Sequence, residues 1–169
     1  MDDLPIITPH NKRTKEEVDQ AKSRAPASFQ LLQRLSHLSR NKGCADCTAP
    51  CTFSIVLPYG IFVCFACAQA HHRLGRHISQ VKELRSPCWF PDELKAVEDM
   101  GNARAQRMFR GPGAPGRLGR KCSLEERVKL ARQVYGERKW LFWGIPRNSP
   151  LPSTTGTPRL DFFESFGIE

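Results

Sequence analysis

Apolar residues recur at helical spacing in several stretches of this chain, and turn-forming residues punctuate them. Phe29, Leu31, Leu32, Leu35 and Leu38 form one stripe. It predicts a helix capped at Ser28 and ended by Asn41-Lys-Gly43. The run Ile55-Val-Leu-Pro-Tyr-Gly-Ile-Phe-Val-Cys64 is almost continuously apolar and is broken by Pro58 and Gly60. It is far shorter than the ~20 residues a bilayer requires and reads as a β-hairpin. A short helix is expected over 68–73, a bend at Gly75, and a strand within 78–84. Pro91, Asp92 and Glu93 then open a helix that buries Leu94, Val97 and Met100 and stops at Gly101. A further helical piece is expected over 103–109. Ser123 followed by Glu126 is a capping-box signal for a last helix carrying Leu124, Val128, Leu130, Ala131, Val134 and Tyr135. Trp140, Leu141, Phe142 and Trp143 form an apolar cluster expected to dock on the body.

These elements suggest one compact domain with ends, which is as much as 169 residues commonly hold. Residues 1–27 contain Pro5, Pro9 and Pro26 and no sustained apolar period, so a flexible N-terminal arm is expected. The domain is placed at 28–143, with a Gly/Pro linker at 111–118 before the last helix. Residues 144–169, rich in Pro, Ser and Thr, are expected to be a disordered tail.

Chemistry enters with the cysteines. Cys44-Ala-Asp-Cys47 and Cys64-Phe-Ala-Cys67 are two tight pairs separated by sixteen residues. Each CxxC turn presents two thiolates from one knuckle, and two knuckles complete the tetrahedral shell that a single structural Zn2+ prefers. Seven cysteines is an odd number, and the opening Met1-Asp-Asp-Leu-Pro5 shows no apolar signal segment. A disulfide framework is therefore disfavoured. Cys51, Cys88 and Cys122 lack pair spacing and read as buried or partly buried thiols, with Cys51 a lesser alternative ligand. The formal charge of +9 is concentrated in 103–139, where eleven Lys/Arg face three Asp/Glu. Such a surface suits an anionic membrane, an acidic protein or nucleic acid, or it is simply a solvated helix face. Nucleic-acid binding is the weaker reading, because the helix after Cys67 brings only Arg73 and Arg76 near base edges.

Several ordered motifs now align. Asn41-Lys-Gly-Cys-Ala-Asp-Cys47, Gly60-Ile-Phe-Val-Cys64, Leu74-Gly-Arg-His-Ile-Ser79, Trp89, Met100-Gly-Asn-Ala-Arg-Ala105 and Val134-Tyr-Gly-Glu-Arg-Lys-Trp140 together resemble the Arf GTPase-activating protein family, over roughly Leu31 to Trp140. The resemblance implies an α+β fold, a small zinc-ribbon sheet surrounded by helices. It also implies a regulator, not an enzyme with its own turnover, which accelerates GTP hydrolysis on an Arf-family small GTPase by inserting an arginine beside the transferring phosphoryl group. It further implies a peripheral role in vesicle traffic at Golgi or endosomal membranes, in a cytoplasmic protein expected to be a monomer.

Counting from Cys67, the family's arginine position falls on His72. Arg73 lies one place later and is the candidate shifted finger, although one helical step turns a side chain by ~100°. Arg76 shares the face of His72 only if the helix continues past Gly75, and is the weaker candidate. Imidazole, unlike guanidinium, is mostly uncharged near neutral pH, so His72 suggests weak activity. A catalytically inactive interaction module is the alternative. His77, Trp89 and Asn102 are candidates for partner binding or for purely structural roles. Ser54 stands where the family carries a Trp, with Phe53 as a packing substitute.

Overall fold

The computed structural model describes residues 4–142. Its centre is a three-stranded antiparallel sheet in the order β2-β1-β3, with β1 Ser54–Leu57, β2 Ile61–Val63 and β3 Gln80–Glu83. Every residue of β1 and β2 is buried. That explains the nearly continuous apolar run, since a strand covered on both faces needs no polar alternation. Successive side chains point to opposite faces. Val56, Ile61 and Val63 therefore join a core containing the paired cysteines, Leu74, Phe109, Leu130 and Tyr135, whereas Ile55, Leu57 and Phe62 join one with Leu32, Leu35, Trp89 and Val97. The hairpin turn requires glycine at position 60, where φ is +62° and a Cβ would lie 2.7 Å from the Ala96 carbonyl oxygen.

Helices cover both faces. α1 spans Lys15–Ser23, α2 Ala25–His37, α3 Phe65–Leu74, α4 Pro91–Asp99, α5 Gly101–Phe109 and α6 Leu124–Ala131. Pro91 opens α4 as expected, and Ser123 with Glu126 caps α6. A π-helical turn, Arg132–Gly136, extends α6.

The N-terminal arm departs from expectation. Thr14 and Glu17 form a capping box that starts α1, and Pro26 in the first turn of α2 begins that helix before Ser28. Ser28 is accordingly buried within the helix instead of capping it. Both Asp92 oxygens lie 2.7 Å from Arg13 Nη2, and the guanidinium sits 4.1 Å above the Phe90 ring. The Thr8 amide donates to the same carboxylate at 2.9 Å. A strap thus pins residues 8–13 to the first turn of α4. The signals were local capping residues in a segment whose overall polarity read as mobile.

The expected linker is also tied down. Leu118 N donates to the Asp46 carbonyl and Thr48 N to the Leu118 carbonyl, both at 2.9 Å, which lays the segment across the first zinc knuckle. Trp140 and Leu141 pack on the core as anticipated. Trp143 and the tail at 144–169 lie outside the described residues.

Candidate metal centre and adjoining surface

The two knuckles meet where the sheet ends and α3 begins. Cys44, Cys47, Cys64 and Cys67 are buried, and their Sγ atoms all lie within 4.8 Å of one another. The Cys47–Cys64 sulfur separation is 3.6 Å. A tetrahedron with Zn–S near ~2.3 Å has edges of ~3.8 Å, so the four are positioned for a single zinc ion. Backbone amides support the thiolates, Cys64 N donating to Cys44 Sγ at 3.3 Å and Ala49 N to Cys47 Sγ at 3.4 Å. Arg127 Nη1 donates to Cys67 Sγ at 3.0 Å. None of the seven cysteines is in a disulfide. Cys51 is exposed and outside the tetrad, contrary to the expectation of a buried thiol, and Cys88 and Cys122 are half-buried.

Beside the metal centre lies a buried polar network. Asp46, between the first two cysteines, accepts from His71 Nε2 at 2.8 Å, Arg110 Nη2 at 3.0 Å and the Tyr135 hydroxyl at 2.8 Å. His71 Nδ1 lies 2.8 Å from Ser79 Oγ. Burial opposes the Asp46 charge, but the His71 hydrogen bond, together with Arg110 and Tyr135, outweighs it and holds the carboxyl at about 2. Burial and the neighbouring Asp46 push the Tyr135 phenol well above its ordinary range, so it remains a donor. Sequence reasoning missed this network, whose one local trace is the Asp inside the first CxxC.

A second stitch joins Asn41 and Asn102. Asn102 Oδ1 accepts from Phe62 N at 2.7 Å and its Nδ2 donates to the Gly43 carbonyl at 2.9 Å, while Asn102 N donates to Asn41 Oδ1 at 2.9 Å. Together they lock the first knuckle to β2 and α5. Asn102 and Trp89 are buried, Trp89 being 1% exposed. Both side chains therefore face the interior. Phe53 is 63% exposed and does not fill a core position.

The remaining candidates cluster at the surface. His72 and Arg73 are exposed on the last turn of α3, and Arg76 and His77 are exposed in the following connection. Gly75, at φ +89°, ends the helix, so Arg76 does not continue the face of His72. Gly75 also lies close to the His77 ring, which would stand 2.9 Å from a Cβ there.

A three-stranded antiparallel sheet layered by helices and anchored by a four-cysteine zinc centre defines a zinc-ribbon α+β module. The ArfGap family profile, described as "Putative GTPase activating protein for Arf", matches residues 29–142. The chain belongs to this Arf GTPase-activating protein family. Among similar proteins, stromal membrane-associated protein 1 of Mus musculus is 37% identical over 79 residues, covering 47% of this chain and 18% of that protein. The ADP-ribosylation factor GTPase-activating protein AGD12 of Arabidopsis thaliana is 31% identical over 123 residues, covering 71% of this chain and 36% of that protein. The solved ArfGap domain of HIV-1 Rev binding protein superposes with a TM-score of 0.61 at 16% identity, covering 76% of this chain and 96% of that one, a likeness of fold. This chain spans 18%, 51% and 17% of the length of three curated relatives it matches. Among the described residues, no helix is long and apolar enough to cross a membrane.

Proposed function

We propose that this chain docks on a GTP-loaded Arf-family GTPase and accelerates hydrolysis weakly, with His72 in the place of the family's arginine finger. The observation that carries the reading is the locking of α3 by His71. Its ring is 0% exposed and both nitrogens are within 2.8 Å of a partner. Rotating α3 by the ~100° needed to bring Arg73 where His72 stands would pull His71 from that network. Arg73 is therefore disfavoured as a simple replacement, and the residue presented at the finger position is an imidazole. An arginine finger is worth ~10³ to 10⁵ in rate because its charge and donor fork persist in the transition state.

The exposed Arg107, Arg120, Lys121, Lys129 and Arg132 support a further part of the proposal, peripheral attachment to anionic membranes such as Golgi or endosomal surfaces.

A single-turnover GTP hydrolysis assay across several Arf-family GTPases tests the catalytic part. Wild type should give slight acceleration, His72→Arg should raise it at least ~10³-fold, and Arg73→Ala should leave wild-type activity nearly unchanged. Strong wild-type acceleration abolished by Arg73→Ala would return the finger to Arg73. No acceleration by either wild type or His72→Arg would refute the activator reading.

A further inference from the structure

Arg127 projects from α6 toward the metal centre and is 5% exposed. A guanidinium this deeply buried needs a counter-charge, since burying an unpaired ion strips it of water with nothing in return. Among the described residues, no carboxylate oxygen lies within the 4.0 Å of an ion pair to it. Each of its three nitrogens nevertheless has a partner. Nε reaches the Cys122 carbonyl at 3.3 Å, Nη2 the Arg120 carbonyl at 2.8 Å, and Nη1 the Cys67 sulfur at 3.0 Å. The last contact is short for a sulfur acceptor, as befits a charge-assisted bond to a thiolate.

The chemistry of the centre supplies the missing counter-charge. Four thiolates around one divalent ion leave a net charge of about −2 in a buried site, and the amides on Cys44 and Cys47 carry only partial positive charge. We propose that Arg127 is the outer-sphere partner of the zinc centre. It neutralises part of the charge of the zinc-bound thiolates at Cys67, and its other two donors fasten residues 120–122 to the metal. The fork thus makes α6 and the segment before it a cover whose closure depends on the zinc ion. α6 packs along α3, so this cover also braces the helix whose last turn carries His72. The inference does not depend on the GTPase reading.

Arg127 acts through the cysteines and is a positioning residue, so the test reads the metal directly. Zinc-loaded protein is challenged with an excess of a colorimetric chelator, and cobalt-substituted protein is examined for its sulfur-to-cobalt charge-transfer bands. Arg127→Met and Arg127→Gln should release zinc ~10-fold faster or more, because outer-shell partners commonly contribute that much to affinity. Their charge-transfer bands should move to lower energy, as a thiolate stripped of a cationic donor becomes easier to oxidise. Arg127→Lys should recover part of both. Unchanged release, or faster release with unmoved bands, would overturn the proposal, the second outcome marking Arg127 as packing alone. Should the neutral variants fail to fold, wild type loaded with a spin-active cadmium isotope decides the matter. A scalar coupling between cadmium and the Arg127 Nη protons is expected, and its absence would refute the bond.

Discussion

Asn102 shows how one side chain joins segments remote in sequence. Its amide oxygen takes the Phe62 N–H and its nitrogen serves the Gly43 carbonyl, across separations of 40 and 59 residues. Replacing it by alanine leaves buried backbone groups without partners, at ~1–3 kcal/mol for each such group. Asn102→Ala is predicted to lower the unfolding free energy by ~3 kcal/mol, measured by urea denaturation of zinc-loaded protein; a loss below ~0.5 kcal/mol would show that water replaces the amide. Exposed residues of the α3 terminus should behave oppositely. His72→Ala removes no buried contact, so its unfolding free energy should stay within ~0.5 kcal/mol of wild type.

At the scale of elements, the N-terminal strap and the last helix depend on different chemistry. Burial disfavours the Asp92 charge, but the Arg13 fork and the Thr8 amide prevail and depress its pKa. A carboxylate whose folded pKa lies below the unfolded value stabilises the fold above the unfolded pKa and loses that contribution as pH falls through the folded one. The stability difference between wild type and Asp92→Asn should therefore be constant near neutrality and shrink below about pH 4. Comparing the two proteins at each pH cancels effects of acid on the zinc thiolates, and a difference undiminished as the pH falls below the ordinary carboxylate range would contradict the assignment. α6 instead starts from a capping box, with Glu126 N donating to Ser123 Oγ at 3.2 Å and Ser123 N to Glu126 Oε2 at 2.8 Å. Ser123→Ala should cost ~1 kcal/mol, read from the thermal midpoint of the zinc-loaded chain.

For the whole molecule, the zinc centre ties together parts that burial alone holds less firmly. The two cysteine pairs come from the entry to the sheet and the start of α3, and one sheet face packs directly on them. Metal binding to such a site is largely folding free energy. Chelation is predicted to unfold the chain cooperatively, with far-ultraviolet dichroism and tyrosine fluorescence changing together and recovering when zinc is returned. Retained dichroism after complete zinc loss would show that the two cores suffice. Both cores are built on β1 and β2, so the sheet should not survive on one face alone.

Much of this architecture was legible because its determinants are local. Two CxxC knuckles sixteen residues apart define a zinc tetrad wherever the chain goes, and Ser123 with Glu126 marks a helix start from four adjacent positions. The apolar hairpin run announced a strand pair, and the ordered motifs identified the family. Other features were decided only when the chain folded. No local period reveals that Arg13 meets Asp92 across 79 residues, that Arg110 meets Asp46 across 64, or that Arg127 reaches Cys67 across 60. Each is a buried or partly buried charge whose partner is set by packing, and charge spacing in sequence carries no trace of that distance. The adjacent His71 and His72 make the same point within one helical turn. Sequence placed both at the end of the second knuckle, but only the tertiary structure turned one into the Asp46 network and the other out to solvent, because a ~100° step on a helix separates buried from exposed.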